Sequence, residues 1–399
     1  MKKDICVFGC GYVGLPLLVA LDKENNVFGF DTNKKRIEQL RENIDATKEV
    51  DSNCLKKSEI KFISNTNEIN HCSVFIITVP TPITLNLEPD YNFLRKASLD
   101  IGKILKKDDL VIFESTVDPK ATYRECLPIL EATSGLKLNE DFGIGYSPER
   151  TVPGQTNRKL KNTVKVFAGS NDQYAQKVKE IYSSIPNLKL HKVSSIEIAE
   201  ASKIIENIQR DVNIALMNEL EKVFFDMDIN FKEALDASMT KWNFAPFFPG
   251  LVGGHCISID PYYLINQMSP AHKKNSIINK ARNFNEQYVK DLGKRFKRSV
   301  KDSKNKNILY LGVTFKPDCP DFRNSKAITF IKQTSIYFKS FDIFDPFADK
   351  EMLFKEEHMK LLSKQWTDID LNKYDLICVV VNHKIFQKIT TTVPVQRLF

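Results

Sequence analysis

The first 31 residues limit the possible folds of this chain more than any other segment. A short apolar stretch at 5–8 leads into Gly9-Cys-Gly-Tyr-Val-Gly14, and an apolar helical stretch follows over 15–21. A second apolar stretch, 27–30, ends at Asp31. The predicted order is a strand, a glycine turn, a helix and a second strand that ends in an acidic residue, about 20 residues after the glycines. This order is typical of a βαβ unit that binds a dinucleotide.

The three glycines have separate physical roles in such a unit. Gly9 permits the tight turn, Gly11 lets the backbone approach a pyrophosphate, and Gly14 lets the helix pack on the strand. The N-terminus of that helix then offers its N–H groups to negative charge. Asp31 is predicted to bind the ribose 2′-hydroxyl, which favours NAD because a carboxylate repels the 2′-phosphate of NADP. The basic run Lys34-Lys-Arg36 leaves NADP as an alternative.

Composition restricts the class of protein. The 399 residues suggest two or three domains, and the longest apolar runs are much shorter than the ~18 residues of a membrane-spanning helix. Eight scattered cysteines without CxxC pairs predict neither a zinc site nor a disulfide framework, so we expect no metal. The net charge of +8 is spread along the chain, which disfavours nucleic-acid binding. We therefore expect a cytoplasmic enzyme without membrane or nucleic-acid partners.

Hydrophobic periodicity divides the chain into three regions. Apolar runs alternate with helical stretches over 1–195, and long helical patterns fill 196–300. A second α/β pattern occupies 301–399. The predicted class is α/β, with two Rossmann-like doubly wound parallel-sheet domains joined by a central helical region. No glycine fingerprint follows the first strand of the second sheet, so we expect that sheet to bind something other than the dinucleotide.

Six motifs, in order along the chain, carry a resemblance to one enzyme family. With them the chain resembles the UDP-glucose/GDP-mannose dehydrogenase family over nearly its whole length, and most of all the UDP-N-acetylhexosamine 6-dehydrogenases of Vi-antigen and capsule biosynthesis. The motifs are Gly9-Cys-Gly-Tyr-Val-Gly-Leu-Pro16, Thr78-Val-Pro-Thr-Pro82, Glu114-Ser-Thr-Val117, Tyr146-Ser-Pro-Glu-Arg150, Gly253-Gly-His-Cys256 and Gly312-Val-Thr-Phe-Lys-Pro-Asp318.

The resemblance implies a role for each of the three regions. Residues 1–195 would bind NAD, 196–300 would form a homodimer and contribute catalytic residues, and 301–399 would bind the nucleotide sugar. The NAD-binding residues implied by the resemblance are Gly9, Gly11, Tyr12, Val13, Gly14, Asp31, Arg36, Thr81 and Thr116.

The resemblance also implies a four-electron oxidation of the sugar C6 hydroxyl to a carboxylate, with two NAD molecules used in turn, for surface polysaccharide biosynthesis. The Cys256 thiolate would attack the intermediate aldehyde to give a thiohemiacetal, and a second hydride loss would give a thioester. Lys203 and Asn207 would stabilise alkoxide-like oxygens, and Asp260 would orient water or relay protons with Lys203. Glu149 would act as the base of thioester hydrolysis.

The remaining implied roles concern water and the substrate. Thr116 would position the water that cleaves the thioester. Arg150 and Arg210 favour the N-acetylhexosamine branch of the family, with UDP-N-acetylglucosamine or UDP-N-acetylgalactosamine as substrate. A structural salt bridge is the alternative role for Arg282, Lys316 and Arg323, and a local cap of Arg150 is the alternative role for Glu149. The implied substrate-binding residues are Glu149, Arg150, Lys203, Asn207, Arg210, Gly253, Arg282, Lys316 and Arg323.

Three points stay open on the sequence alone. His255 is either structural or, like Lys203, a source of positive charge that lowers the pKa of the Cys256 thiol. The substrate could instead be UDP-N-acetylmannosamine. The third alternative is an inactive NAD- or nucleotide-sugar-binding protein, because 390–399 departs from the C-terminal pattern of the family.

Overall fold

The computed structural model describes residues 2–150 and 163–399. The chain forms two compact units. The first unit comprises Met1–Glu206 with Tyr262–Asn266, and the second comprises Asn207–Pro261 with Gln267–Phe399. Each unit contains one β-sheet with helices packed on it. The predicted α/β class is therefore confirmed.

The first unit contains an eight-stranded sheet in the order β3-β2-β1-β4-β5-β6-β7-β8. The strand order reverses between β1 and β4, as in a doubly wound sheet. Among the described strands of this sheet, β7 runs antiparallel to β6, and the other neighbours are parallel. The predicted parallel sheet therefore includes one antiparallel pair. The strands are β1 (Asp4–Phe8), β2 (Asn26–Phe30), β3 (Lys61–Ile63), β4 (Val74–Ile77), β5 (Leu110–Phe113), β6 (Gly143–Tyr146), β7 (Lys165–Gly169) and β8 (Leu190–Lys192).

Helices cover the first sheet and explain its continuous apolar strands. All residues of β4 and β5 are buried, as expected for parallel strands enclosed on both faces. Leu18 and Val178 from two helices share one core with Ile76 of β4. The helices are α1 (Gly14–Leu21), α2 (Lys34–Arg41), α3 (Ser52–Lys56), α4 (Asn92–Gly102), α5 (Leu127–Ser134) and α6 (Asp172–Ser183), and a π-helical turn, Thr122–Cys126, precedes α5.

Helices dominate the chain from residue 196 to residue 299. The first of them is 31 residues long, and its first 11 residues belong to the first unit. In the second unit, Tyr288, Leu292 and Phe296 on the last of them pack against Phe330 of the C-terminal region. The helices are α7 (Ile196–Asp226), α8 (Phe231–Ser238), α9 (Asp260–Ile265), α10 (Pro270–Asn275) and α11 (Ile277–Ser299).

The second unit contains a parallel four-stranded sheet in the order β10-β9-β11-β12. The first three strands match the predicted ones. The short β12 was not predicted, and it lies in the segment whose sequence departs from the family pattern. The elements are β9 (Asn307–Leu311), α12 (Lys326–Ser335), β10 (Ser340–Phe344), α13 (Lys350–Glu357), β11 (Leu376–Val379) and β12 (Val395–Arg397).

The part of the chain that the structure describes lacks two further features. No helix in 2–150 or 163–399 is long and apolar enough to cross a membrane. The same ranges contain no cluster of three or more His, Cys, Asp or Glu side chains suited to hold a metal ion.

Candidate active site

The glycine turn after β1 is tightly packed at two positions and open at the third. Gly9 has φ +97°, in the left-handed region that favours glycine, and its N–H donates to the carbonyl of Phe30 at 2.8 Å. A Cβ at Gly14 would lie 1.8 Å from the Gly9 carbonyl oxygen, whereas a Cβ at Gly11 would meet open space within 4 Å. The turn therefore leaves room for a ligand in front of Gly11.

Asp31 and Arg36 lie beside this turn. The Asp31 carboxylate accepts N–H bonds from Cys10 at 3.0 Å and from Asn33 at 2.8 Å. Arg36 donates from Nε to the Cys10 carbonyl at 2.9 Å and from Nη2 to Asp45 at 2.7 Å. Its buried Nη1 has no hydrogen-bond partner among the described residues. A fixed carboxylate and a buried N–H group without a protein acceptor fit the ribose and phosphate oxygens of a dinucleotide.

Replacing Asp31 tests this fit. We expect Asp31→Ala to raise the Kd for NAD about 10- to 100-fold, because a hydrogen bond to a charged group contributes about 1.5–3 kcal/mol. Isothermal titration calorimetry would measure the Kd without turnover. Asp172→Ala, which removes an exposed carboxylate on α6, is the matched control and should keep the wild-type Kd. An unchanged Kd for Asp31→Ala would exclude the ribose contact.

Thr81 and Thr116 come together beyond the carboxyl ends of β4 and β5. The Thr81 hydroxyl donates to the Thr116 carbonyl at 2.7 Å, and the Tyr263 hydroxyl donates to the Thr81 carbonyl. Ser115 donates to the Val79 carbonyl at 2.7 Å and so ties the same two segments together. Open α/β sheets bind their ligands at this edge, so the position suits the cofactor contacts predicted for both threonines.

A turn of the same form follows the first strand of the second sheet. Gly312 has φ +90°, and the Val313 N–H donates to Asp345 at 2.7 Å, as the Cys10 N–H does to Asp31. Asp345 differs because it is 2% exposed and lies 3.1 Å from Nε2 of the buried His383. The second turn therefore presents its carboxylate to an internal imidazole.

Glu149 lies next to a buried ionic cluster that sequence reasoning missed. Lys165 Nζ lies 2.9 Å from Glu114 and 3.7 Å from Glu149, and the Tyr182 hydroxyl donates to Glu114 at 2.5 Å. Burial raises the pKa of Glu114 despite the charge of Lys165. The sequence feature that could have revealed this cluster is a glutamate directly after the apolar strand β5, together with a lysine at the start of β7.

Arg150 already has protein partners within the first unit. Its Nε donates to Glu206 at 3.1 Å and its Nη1 to the Val164 carbonyl at 2.9 Å. The Arg150 N–H donates to the Glu149 carboxylate at 2.8 Å, which matches the local capping role considered for Glu149. A substrate anion would therefore share Arg150 with Glu206.

Glu200 anchors the start of α7, the helix that carries Lys203. Its carboxylate accepts N–H bonds from Lys120 at 2.5 Å and from Thr122 at 3.0 Å. The side chain is completely buried, and burial raises the pKa of Glu200 to about 7 in spite of these hydrogen bonds. The half-buried Lys203 follows one turn later on the same helix.

The raised pKa of Glu200 predicts a pH-dependent stability. The folded state binds the Glu200 proton more tightly than the unfolded state does. The resulting contribution to the free energy of unfolding is fully present below pH 4.5, the ordinary pKa of this carboxyl, and is lost as the pH rises to about 7. The free energy of unfolding should fall by about 3 kcal/mol at most over this range, at 1.36 kcal/mol per pKa unit. Urea unfolding at several pH values should show Glu200→Gln with a flatter profile than wild type. Parallel profiles would contradict this assignment.

Three predicted catalytic residues meet in the second unit. Asn207 Nδ2 donates to Asp260 Oδ2 at 2.5 Å, and the Asp260 N–H donates to the Cys256 carbonyl at 2.8 Å. All eight cysteines lie in the described ranges, and Cys54 and Cys256 are the exposed ones. Burial raises the pKa of Cys126, for comparison, to about 12. Exposure therefore makes Cys256 available for reaction, and helix α9 begins beside it.

The glycines before Cys256 dock on the loop 313–325 of the same unit. Gly254 has φ +83°, and a Cβ there would lie 2.7 Å from the Phe315 ring. A Cβ at Gly253 would lie 2.5 Å from the Asn324 carbonyl oxygen. The Asn324 side-chain amide donates to the Gly254 carbonyl at 3.0 Å and to the Ser258 hydroxyl at 2.9 Å. Both glycines are needed for this close approach, so Gly253 has a packing role.

His255 and Arg323 share the carboxylate of Asp321. His255 Nε2 lies 3.3 Å from Asp321 Oδ2, and Arg323 Nη2 lies 2.8 Å from the same oxygen. Burial disfavours the charge of Asp321, but hydrogen bonds from both partners hold the pKa of this carboxyl well below its usual range. Lys316, on the same loop, lies with Nζ 5.4 Å from the centre of the Phe315 ring. The loop thus holds two basic residues predicted to bind the nucleotide sugar.

Arg282, a predicted substrate contact, lies inside the second unit. Its side chain has no exposed surface, and Nη1 donates to Asp211 at 2.6 Å. The same nitrogen donates to the carbonyl of Ile257, which follows Cys256, at 3.3 Å. Arg282 therefore supports the cysteine loop from inside the protein, and its contact with the substrate stays a prediction. Arg210 is exposed on α7.

Comparison with known proteins agrees with these features. Three domains of the UDP-glucose/GDP-mannose dehydrogenase family match the chain: the NAD binding domain over residues 3–186, the central domain over 197–287 and the UDP binding domain over 309–397. The predicted resemblance is therefore confirmed, and NAD is the cofactor.

Individual relatives agree with the family match. A UDP-N-acetyl-D-glucosamine 6-dehydrogenase of Pseudomonas aeruginosa is 47% identical over 87% of this chain and 83% of its own length. One of Salmonella typhi is 42% identical over 97% and 91%. The solved structure of a UDP-D-ManNAc dehydrogenase from Pyrococcus horikoshii has a TM-score of 0.84 at 26% identity and covers 97% of this chain and 91% of its own. The chain belongs to the UDP-glucose/GDP-mannose dehydrogenase family, and it is an NAD-dependent nucleotide-sugar dehydrogenase.

Proposed function

We propose that this enzyme oxidises the C6 hydroxyl of a UDP-N-acetylhexosamine, UDP-N-acetylglucosamine or UDP-N-acetylgalactosamine, to the uronate. The observation that carries the proposal is the exposed Cys256, whose backbone carbonyl accepts from the Asp260 N–H at 2.8 Å, while the Asp260 carboxylate accepts from Asn207 at 2.5 Å. An exposed thiol in a segment tied to an acid and an amide suits the oxidation of an aldehyde to an acid. The names of the Pseudomonas and Salmonella relatives support the acetylated sugar.

The first unit would hold the cofactor. Gly9, Gly11 and Gly14 shape the turn, Asp31 would bind ribose hydroxyls, and the buried Nη1 of Arg36 would donate to a cofactor oxygen. Bound NAD supplies the acceptor for a hydride from the sugar C6. The other implied cofactor contacts, Tyr12, Val13, Thr81 and Thr116, remain predictions.

The second unit would hold the reacting carbon. The Cys256 thiolate adds to the C6 aldehyde, forming a C–S bond while the carbonyl oxygen takes up a proton, which gives a thiohemiacetal. Removal of the C6 hydride and the hydroxyl proton then gives a thioester. The Asn207 amide would donate to the oxygen that carries developing negative charge, and Asp260 would hold that amide in place. Lys203 is proposed to assist at the same oxygen.

Water completes the reaction. Its oxygen forms a bond to the thioester carbon, the C–S bond breaks, and the Cys256 thiolate leaves, so the products are a carboxylate and a regenerated thiolate. Glu149 is proposed to accept the water proton, and Thr116 to position the water. Over the whole reaction, one water is consumed and four electrons leave C6 as two hydrides.

The Pyrococcus structure favours a second candidate substrate, UDP-N-acetylmannosamine, since that protein is named a UDP-D-ManNAc dehydrogenase and its fold covers 97% of this chain. Both candidates are UDP-N-acetylhexosamines and differ in sugar stereochemistry. Arg150 and Arg210 were predicted to favour acetylated sugars over UDP-glucose, so they do not choose between the two candidates. The Pseudomonas and Salmonella relatives, named UDP-N-acetyl-D-glucosamine 6-dehydrogenases, are 47% and 42% identical to this chain, against 26% for the Pyrococcus protein. The proposal therefore keeps UDP-N-acetylglucosamine or UDP-N-acetylgalactosamine as the preferred substrate.

A panel of sugars tests the proposal. Purified enzyme with NAD would receive UDP-N-acetylglucosamine, UDP-N-acetylgalactosamine, UDP-N-acetylmannosamine or UDP-glucose, and NADH and sugar acid would be measured together. Two NADH per uronate from one of the first two sugars is expected. Turnover with the mannosamine epimer alone would select the second candidate. A protein that binds NAD and UDP sugars without forming NADH would be the inactive alternative.

We also propose a homodimer that uses the central helical region. Large apolar side chains are exposed there, including Trp242 at 92%, Phe225 at 60% and Met227 at 60%. Leu216 on α7 is exposed as well, at 46%. Exposed large apolar side chains of this kind suit a subunit interface. Sedimentation equilibrium should give twice the chain mass, and Trp242→Glu should shift it toward the monomer.

A further inference from the structure

One buried carboxylate organises the segment that follows α2 in the first unit. The Asp45 side chain is 1% exposed, and it accepts N–H bonds from Thr47 at 2.9 Å, from Glu49 at 2.9 Å and from Val50 at 3.0 Å. The Thr47 hydroxyl also donates to it, at 2.7 Å. Burial disfavours the charge of Asp45, but hydrogen bonds from Thr47, Val50 and Arg36 hold the pKa of this carboxyl below its usual value. Asp45 is therefore a fixed anion.

Arg36 connects Asp45 with the glycine turn. Its Nη2 donates to Asp45 at 2.7 Å, and its Nε donates to the Cys10 carbonyl at 2.9 Å. The Cys10 N–H donates to Asp31 at 3.0 Å, so Asp31 and Arg36 bind the same residue of the turn. Both charges also act on the Cys10 thiol, since burial raises the pKa of this thiol, Asp31 raises it further and Arg36 opposes the rise. Two carboxylates and one guanidinium thus give one net negative charge beside the turn.

This charge balance is relevant to the choice between NAD and NADP. NADP carries a phosphate on the ribose 2′-oxygen, the atom predicted to lie at Asp31, and NADP-binding units of this kind place an arginine near that phosphate. The basic run Lys34-Lys-Arg36 supplies the candidates. Lys34 and Lys35 are exposed, whereas Arg36 is only 8% exposed. Arg36 is therefore the member of the run that packs against the glycine turn.

The hydrogen bonds of Arg36 restrict what its guanidinium can hold. A guanidinium binds a phosphate most strongly through two N–H groups on one edge. On the edge formed by Nε and Nη2, one N–H group already donates to the Cys10 carbonyl and one to Asp45. Asp45 also balances the charge of Arg36. A 2′-phosphate at Asp31 would therefore meet an unbalanced carboxylate and an arginine that is bound elsewhere.

We propose that Asp45 is a positioning residue that sets the preference for NAD over NADP through Arg36. It balances the guanidinium and keeps the Nε–Nη2 edge on protein acceptors, so Asp31 repels a 2′-phosphate without an arginine to offset the repulsion. Replacing Asp45 would release Arg36 toward that phosphate. The inference concerns the cofactor, and it holds whichever sugar the enzyme oxidises.

Calorimetry with NAD and with NADP, in the absence of a sugar, measures this preference without turnover. The readout is the ratio of the Kd for NADP to the Kd for NAD, because general damage near the turn would weaken both cofactors alike and leave the ratio in place. Asp45→Asn should lower the ratio about tenfold, the size expected when one unit charge near a phosphate is removed at the effective dielectric of a protein surface. An unchanged ratio in a folded Asp45→Asn protein overturns the proposal.

Three further variants make the test specific. Thr47→Val is the matched control, because it removes a hydrogen bond to Asp45 from the same segment and keeps the charge, so the ratio should stay at the wild-type value. Asp45→Glu also keeps the charge and should retain most of the preference that Asp45→Asn loses. Arg36→Met removes the cation and should raise the ratio, and this measurement tests the charge balance even if Asp45→Asn does not fold. A ratio that Thr47→Val lowers as much as Asp45→Asn does, or that Arg36→Met leaves unchanged, contradicts the proposal.

The double variant Arg36→Met with Asp45→Asn tests whether Asp45 acts through Arg36. Without a guanidinium to release, adding Asp45→Asn to Arg36→Met should lower the ratio much less than Asp45→Asn lowers it in the wild type. An equal fall in both backgrounds would exclude the role of Arg36. Wild-type enzyme that binds both cofactors equally would contradict the preference itself. The sugar panel stays a separate test of the proposed function, since no sugar is present in these titrations.

Discussion

Replacing Cys256 with alanine should abolish uronate formation, by roughly 10³-fold or more, which corresponds to about 4 kcal/mol of lost transition-state stabilisation. The exposed thiol is the proposed attacking atom, and neither a methyl group nor water bound nearby can form the thioester. The aldehyde should accumulate instead. Mass spectrometry of the sugar products, with NADH counted in parallel, would show one NADH per aldehyde and no uronate.

The control for this experiment is Cys54→Ala, which removes the other exposed cysteine and should leave turnover unchanged. The Kd for NAD should also be unchanged in Cys256→Ala, because the cofactor residues belong to the first unit. Uronate formation by Cys256→Ala at the wild-type rate would exclude covalent catalysis by this thiol. Loss of NAD binding would instead indicate a folding defect.

The largest effect on stability is expected from Lys165→Met. The lysine side chain is 3% exposed and lies between Glu114, 0% exposed, and Glu149, 9% exposed. Removing the cation leaves two buried carboxylates close together. Breaking a buried ion pair in this way lowers the free energy of unfolding by about 3–5 kcal/mol. Thermal unfolding followed by circular dichroism should show that the first unit of Lys165→Met unfolds at a lower temperature than that of the wild type.

Two further proteins make the stability test specific. Lys232→Met breaks an ion pair with Asp236 that is 84% and 50% exposed, and exposed pairs contribute only about 0–1 kcal/mol. The double variant Glu114→Gln with Lys165→Met removes one carboxylate together with the cation, so it should be more stable than Lys165→Met alone. If Lys165→Met lowers the free energy of unfolding no more than Lys232→Met does, the contact of Lys165 with Glu114 and Glu149 does not stabilise the fold as its geometry indicates.

Much of the fold was predictable because strands and cofactor turns leave local signals. The stretch 27–30 and Asp31 follow the glycine turn, and the apolar run at 74–79 contains β4, Val74–Ile77. The direction of β7 was not predictable, since an apolar strand reads the same in both orientations. The strand β12 was missed because three residues, Val395–Arg397, carry too little periodicity.

The candidate site was predictable to a different degree. The roles of Asn207, Cys256 and Asp260 were implied by the family resemblance, and hydrogen bonds through Asp260 connect the three residues in the structure. Partners distant in sequence left no such signal. Lys165 meets Glu114 across 51 positions, and Arg282 meets Asp211 across 71, so only the packed chain shows that one arginine is internal and that one lysine supports a carboxylate.

The two similar turns have a consequence for timing. Asp31 is half-buried at its turn, whereas the corresponding Asp345 is enclosed with His383. The proposed reaction removes two hydrides, and only the first of these two turns offers a carboxylate to a ribose. In the proposed reaction, the half-oxidised sugar would therefore stay attached to Cys256 while spent cofactor is replaced at the same place. The lifetime of that proposed thiohemiacetal, relative to cofactor exchange, would then decide whether an aldehyde escapes.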